Sequence, residues 1–512
     1  MQKPQETDLI AGDRQWSIED VLAVCEGRSK IRLAEAPSWR ENISRGAEIV
    51  ERFWREGRVV YGVTTGFGAS CDVIVPHDLV EELPRQLIRF HGCGLGAALD
   101  EPAGAAVLCT RLISLCRGMS GIRLEVLEAI TVLLNRRIIP VIPEEGSVGA
   151  SGDLTPLSYA AAVLMGDRDV YQSGHRRPAS EVFAEENIQA LVLRPKEALA
   201  IMNGTAMMTG LACQIYARAE YLLRLATRIT SMVIDTSGGN KAHYHPRLFE
   251  VKPHPGQARV AAWIWHDLAD MNGAGSRLQD RYSIRCAPHI LGILADALPG
   301  IRQTIEIELN SANDNPLIDV DDEAVYHGGH FYGGHIGYAM DCLKIAVAHV
   351  ADLLDRQLAA LFDCPGNNGL PPNLSGALGD RKMINHGLKA LQIGVSAWTS
   401  EALQHGMPAT LFSRSTESHN QDKVSLGTTA ARDCLRVIEL VEQVAAGCLV
   451  AAVQAARLRR RDEGQWGTST TGKMADALQD IVPFVEDDCE LEQPLRSLLE
   501  KIRERGLVFE FE

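Results

Sequence analysis

Apolar residues recur at steps of three and four along positions 336–361. Met340, Leu343, Val347, Val350, Leu354, Leu358 and Leu361 make one stripe, the period of a helix with one buried face. At 1.5 Å rise per residue such a helix spans about 40 Å. A second long helix is predicted over 428–460, rich in Ala, Leu and Val and ending in Arg457, Arg459, Arg460 and Arg461. That basic run reads as the cation-rich end of a helix, facing the negative pole of its dipole, rather than as a nucleic-acid patch. Shorter helical patterns occupy 103–117, 123–135, 195–219 and 288–309. Strand signals are confined to 59–60 and to 169–172, the latter ahead of a turn at Ser173-Gly174. The pattern predicts a mostly all-α protein: a smaller N-terminal region over residues 1–200 and a long-helix bundle over 201–512.

Three segments break the helical pattern with dense small and polar residues: 61–68 (YGVTTGFG), 144–156 (EEGSVGASGDLTP) and 310–334 (NSANDNPLIDVDDEAVYHGGHFYGG). Packing of a helical protein has no need of such loops, which makes them the functional candidates.

Composition narrows the class. With 512 residues, 46% of them apolar and 23% charged, the chain has a globular make-up and length for a large core. Lys and Arg number 51 against 66 Asp and Glu, a net charge of −15 that repels phosphate backbones and argues against a nucleic-acid partner. The opening MQKPQETDLIAGD is polar, and the apolar run 444–453 is shorter than the roughly 20 residues that cross a bilayer. Twelve scattered cysteines without a CxxC pair fit a reducing compartment. A soluble, cytoplasmic protein without a membrane partner is expected.

In GSVGASGDLTP, Gly149 and Gly152 bracket Ala150-Ser151, so the backbone can bend tightly there. Asp153 and Thr155 are placed to cap a helix starting near Pro156. The segment lacks the lysine of a GxxxxGK[ST] phosphate loop. A forced bend at Ala-Ser-Gly also permits another chemistry: the Gly152 nitrogen attacks the Ala150 carbonyl, and loss of water leaves a methylidene-imidazolone (MIO). Such a group is an electrophile able to turn an amine into a leaving group without metal or pyridoxal.

The wider segment GSVGASGDLTPLSYAA resembles the prosthetic-group segment of the aromatic amino-acid ammonia-lyases and aminomutases, the histidine/phenylalanine/tyrosine ammonia-lyase family. YGVTTGFG, KEALAIMNGT, QDRYSIRC, NSANDNPL and HNQDKVSLG match in the same order, so the resemblance runs over 61–427. It implies the long-helix bundle shared by histidine ammonia-lyase and aspartase-like proteins. It also implies an MIO formed from Ala150, Ser151 and Gly152, with no metal and no nucleotide. Tyr61 becomes the catalytic base on a lid loop, a role that requires a lowered pKa, where by itself it reads as a buried aromatic before a turn. Asn203, otherwise a helix cap, lies beside the prosthetic group. Gln279, Tyr282 and Arg285 fall at three-residue steps, on one helix face or turn. By resemblance Tyr282 assists at the prosthetic group and Arg285 anchors the substrate carboxylate with its planar guanidinium; read alone, Arg285 is a surface ion pair. Asn313 and Asn315 order backbone near the site, and Phe331 is a pocket phenylalanine. His330 stands where the family usually has asparagine.

Substrate choice rests on four places. Phe90-His91 match the pair that meets the substrate ring. A buried His91 wants a hydrogen-bond partner, which a tyrosine hydroxyl supplies, although backbone can satisfy it too. Gln421 stands where histidine ammonia-lyases carry glutamate. Lys389 and Glu417 match a pair typical of phenylalanine ammonia-lyases, while Lys389 also suits a solvated helix face. Together these favour L-tyrosine, then L-phenylalanine, with elimination to trans-coumarate or trans-cinnamate and ammonia. The alternatives are a urocanate-forming histidine ammonia-lyase and an aromatic 2,3-aminomutase. Outside the family stand an inactive helical scaffold, an aspartase-like enzyme without the prosthetic group, and a metal hydrolase using His327, His330 and His335. The spacing of those histidines matches no zinc pattern, and with His243 and His245 they read as polar loop residues. The resemblance further implies a homotetramer whose active sites each draw on three subunits.

Overall fold

The computed structural model describes residues 8–271, 275, 277–463, 470–509 and 511. The fold is mostly helical, as the periodicity predicts. The long stripe lies on helix Gly334–Phe362, and its seven residues are at most 1% exposed. The second long helix runs Gly427–Glu463. Its terminal arginines do more than face a dipole: Arg459 donates to the carbonyls of Thr236, Asn367 and Asn368, Arg457 and Arg461 to those of Val482 and Gly376, and Arg460 pairs with Asp476. Among the described residues two helices, Tyr282–Leu309 and Gly427–Asp462, are long and apolar enough to cross a membrane, which the run 444–453 alone did not suggest. The second is mostly buried, as a core helix is.

The described residues fall into two compact units. The first holds the chain up to Ile215 together with Arg302–Asp341 and Pro408–Arg432; the second holds Tyr216–Ile301, Cys342–Met407 and Asp433–Glu512. The division therefore differs from a cut at residue 200. Two later segments return to the first unit because their polar groups find buried partners there: Asp314 pairs with Lys196, Asn313 accepts from Ser114, and the Ser425 hydroxyl donates to the Gly149 carbonyl.

Local departures have local causes. Residues 195–219 form two helices, Glu197–Met202 and Ala206–Ser237, broken at Asn203-Gly204-Thr205. Positions 59–60 form no strand. The Val60 amide donates to the Thr64 hydroxyl, which donates to the Arg58 carbonyl, so a turn consumes the groups a ladder would need. Val60 packs with Ile49, Phe53, Val63 and Ile318 while Val59 stays exposed. Strand Asp169–Gln172 does form, antiparallel to His175–Pro178 across the expected turn.

Candidate functional site

A cavity of about 630 Å³ opens in the first unit, walled by residues of all three candidate loops. Ala150 and Ser151 line it. The flanking Gly149 and Gly152 hold φ of +69° and +68°, a region L-residues avoid. A Cβ on Gly152 would lie 2.0 Å from the Gly204 carbonyl oxygen. The two segments interlock there: Asp153 N–H donates to the Gly204 carbonyl at 2.7 Å, and Gly204 N–H donates to the Ser151 carbonyl at 3.3 Å.

Asp153 does not cap helix Leu154–Leu164 with its side chain. Its buried carboxylate instead accepts from the Ser147 and Thr428 hydroxyls and the Met208 N–H, and burial pushes its pKa up to about 6. One partner six residues back and two from distant chain positions outcompete the local cap.

Asn203 is buried in the cavity wall. Its Nδ2 donates to Asp314 and to the Asn315 carbonyl, at 3.2 and 2.7 Å. Its Oδ1 is buried with no donor among the described residues, an acceptor left for a group in the cavity. Asn315 Oδ1 accepts from Gly328 N–H at 2.8 Å, and Asn313 binds Ser114 and Glu308. The tight bend, the glycine contact and this orphan acceptor fit a cyclised Ala150-Ser151-Gly152.

Tyr61 is half-buried, and its hydroxyl oxygen accepts from Gly68 N–H at 2.9 Å. Burial pushes its pKa up, outweighing that hydrogen bond, and the Glu417 carboxylate raises it further. Among the described residues, nothing supplies the lowered pKa that a base requires. Glu417 holds the same loop by accepting from Ala69 N–H at 2.8 and 3.0 Å.

Phe90 and His91 end helix Leu83–Phe90 and line the cavity. His91 Nδ1 lies 2.9 Å from the Leu87 carbonyl, which only accepts, so Nδ1 carries the proton. Burial holds the pKa of the ring down, as does nearby Arg168. The neutral ring is therefore half satisfied by backbone and keeps Nε2 as a bare acceptor. Gln421 lines the cavity and its Oε1 accepts from Thr416; Phe331 and His327 line it as well, whereas His330 is exposed outside the lining. Among the described residues no three His, Cys, Asp or Glu side chains gather as a metal site.

Gln279, Tyr282, Arg285 and Lys389 belong to the second unit, and the cavity lining contains none of them. Helix Tyr282–Arg285 carries two of the three-step residues; Gln279 precedes it and is exposed. Arg285 donates to the Asp280 carbonyl and sits 4.8 Å from the Tyr282 ring centre, and Tyr282 is 72% exposed. Lys389 is exposed at the start of helix Lys389–Gln404. The wall also uses Phe67, Cys71, Leu87, Leu154, Leu199 and Lys423. Phe67, Leu154, Leu199 and Lys423 lay inside the matching motifs without being singled out; nothing in the sequence marked Cys71.

The profile of a family described as aromatic amino acid lyase matches residues 16–480. The histidine ammonia-lyase of Caldanaerobacter subterraneus subsp. tengcongensis is 34% identical over 484 residues, covering 94% of this chain and 93% of that protein. The histidine ammonia-lyase of Geobacillus sp. (strain WCH70) is 36% identical over 476 residues, covering 92% of each. The solved structure of tyrosine aminomutase from Streptomyces globisporus superposes with a TM-score of 0.90 at 29% identity, covering 98% of this chain and 97% of that one.

Proposed function

This chain belongs to the aromatic amino acid lyase family and is a carbon–nitrogen lyase, and from that premise we propose that it eliminates ammonia from an aromatic L-amino acid at the Ala150–Tyr61 cavity. The observation that carries the reading is Ala150-Ser151, bent between two positive-φ glycines and facing the cavity beside Tyr61 and the orphan acceptor of Asn203. Once cyclised to MIO, the segment would supply an electrophilic carbon for the substrate's amino group.

The side chains do the rest. The Tyr61 oxygen, oriented by Gly68 N–H, takes the β-proton once a positive charge or further donor lowers its pKa. Arg285 holds the carboxylate and Tyr282 assists, both supplied by another copy in a homotetramer. Support for that assembly comes from the exposure of Tyr282 and of the apolar Ile293 and Ile393 on their helices. Twelve free cysteines support the cytoplasm as its compartment.

L-Histidine is the first substrate we propose and L-tyrosine the second. His91 Nε2 asks for a ring that donates a hydrogen bond, which both have and phenylalanine lacks. The relatives named histidine ammonia-lyase favour imidazole, reversing the order expected from His91 and Gln421. Gln421 in the wall, where the family's histidine enzymes carry glutamate, and the likeness to a tyrosine aminomutase favour the phenol. The test is an ultraviolet assay with histidine, tyrosine and phenylalanine in parallel. Urocanate supports the first reading and coumarate the second; a β-amino acid from any of them would replace the lyase by an aminomutase. No product from any substrate, with an intact mass that shows no loss of water, would overturn the proposal.

A further inference from the structure

Behind the Ala150-Ser151-Gly152 bend lies a cation that no step above uses. Arg111, on helix Glu101–Leu115, is 0% exposed, and its three guanidinium nitrogens have no acceptor among the described residues. Its Nη1 presses on Gly204: a Cβ there would lie 2.0 Å from it. Gly204 in turn touches Gly152 and donates its N–H to the Ser151 carbonyl. Asp314 is the one carboxylate whose charge acts on Arg111 among the described residues, and its oxygens are taken by Lys196 and Asn203. A buried guanidinium without a hydrogen-bond acceptor is costly, so its place against one glycine calls for a reason.

We propose that Arg111 is a positioning residue whose buried positive charge, held behind Gly204, makes the Ser151-derived carbon electrophilic. The inference rests on the proposed cyclisation. In that reaction a bond forms between Gly152 N and the Ala150 carbonyl carbon. One water leaves with the Ala150 oxygen and the Gly152 and Ser151 N–H hydrogens. The second leaves with the Ser151 Oγ–H and Cα hydrogen. When a nucleophile then adds at the Ser151 Cβ, electron density moves toward the Ser151 carbonyl oxygen, the atom that Gly204 N–H reaches. A fixed charge one residue behind that N–H strengthens it without reorganising. Burial lowers the Arg111 pKa to about 10, so the charge persists at neutral pH.

The experiment compares wild type, R111K and R111Q in folded, purified protein. Intact mass reads the loss of two waters. The rate at which 2-mercaptoethanol adds, sulfur to the Ser151 Cβ and proton to Cα, reads electrophilicity without substrate. R111Q should cyclise but add thiol about tenfold or more slowly, while R111K stays near wild type. Cyclisation in R111K and not in R111Q would also support the role of charge. Wild-type thiol rates in R111Q, or a tenfold loss in folded R111K, would overturn the proposal. Should R111Q not fold, R111K decides alone. Wild type that keeps both waters would instead bring down the cyclisation reading itself.

Discussion

The Tyr61 hydroxyl oxygen accepts a 2.9 Å hydrogen bond from the Gly68 amide, seven residues along the same loop. That bond favours the phenolate and fixes where its oxygen points. It does not overcome burial and the Glu417 carboxylate, which hold Tyr61 in its protonated form. If Tyr61 is the base proposed above, its orientation comes from its own loop, while its ionisation needs a further donor or positive charge.

Replacing Tyr61 with phenylalanine should lower kcat by about 10²- to 10⁴-fold, the usual worth of a positioned base, with two waters still lost from the intact mass. Unchanged turnover would remove Tyr61 from the role.

Glu417→Gln removes a negative charge that raises the Tyr61 pKa. The tyrosine should then ionise at lower pH, seen by ultraviolet difference titration against a Y61F reference. A midpoint that stays put or rises would mean that Glu417 acts only by holding the Ala69 amide.

His91→Phe deletes the Nε2 acceptor. Turnover of the donor-bearing substrate should fall about tenfold in kcat/KM, the worth of one hydrogen bond, and that of phenylalanine should rise relative to it. Equal losses on both would show that His91 only shapes the wall.

Gly204→Ala places a Cβ 2.0 Å from Arg111 Nη1 and 3.0 Å from the Asn313 carbonyl, at a φ of +149°. Overpacking there should cost about 1–3 kcal/mol and leave both waters on the chain. A variant with wild-type Tm and two waters lost would show that the contact yields freely.

Asp153 is protonated more readily in the folded chain, at about 6, than at the ordinary 3.8. Its contribution to stability is fully present below about 3.8 and lost as pH rises through about 6, a change of order 3 kcal/mol. Between pH 4 and 7, wild type should therefore lose Tm relative to Asp153→Asn. A constant gap between the two melting curves would mean that its three hydrogen bonds hold it in one protonation state.

The sequence by itself determined the long helices. A stripe such as Met340 to Leu361 is written in steps of three and four, and burial of one face follows from that period alone. It also marked the candidate chemistry, because the bend at Ala150-Ser151 needs a glycine on each side, and Gly149 and Gly152 both take positive φ. Only the tertiary structure decided what those loops meet. Ala69 and Glu417 are 348 positions apart, Asn203 and Asn315 are 112 apart, and Asp153 leaves its expected cap for Thr428, 275 positions away. Arg111 sits inside an apolar run and carries no local mark of its place behind Gly204. Periodicity records which face of an element is buried; which partner a buried polar group finds depends on the path of the whole chain.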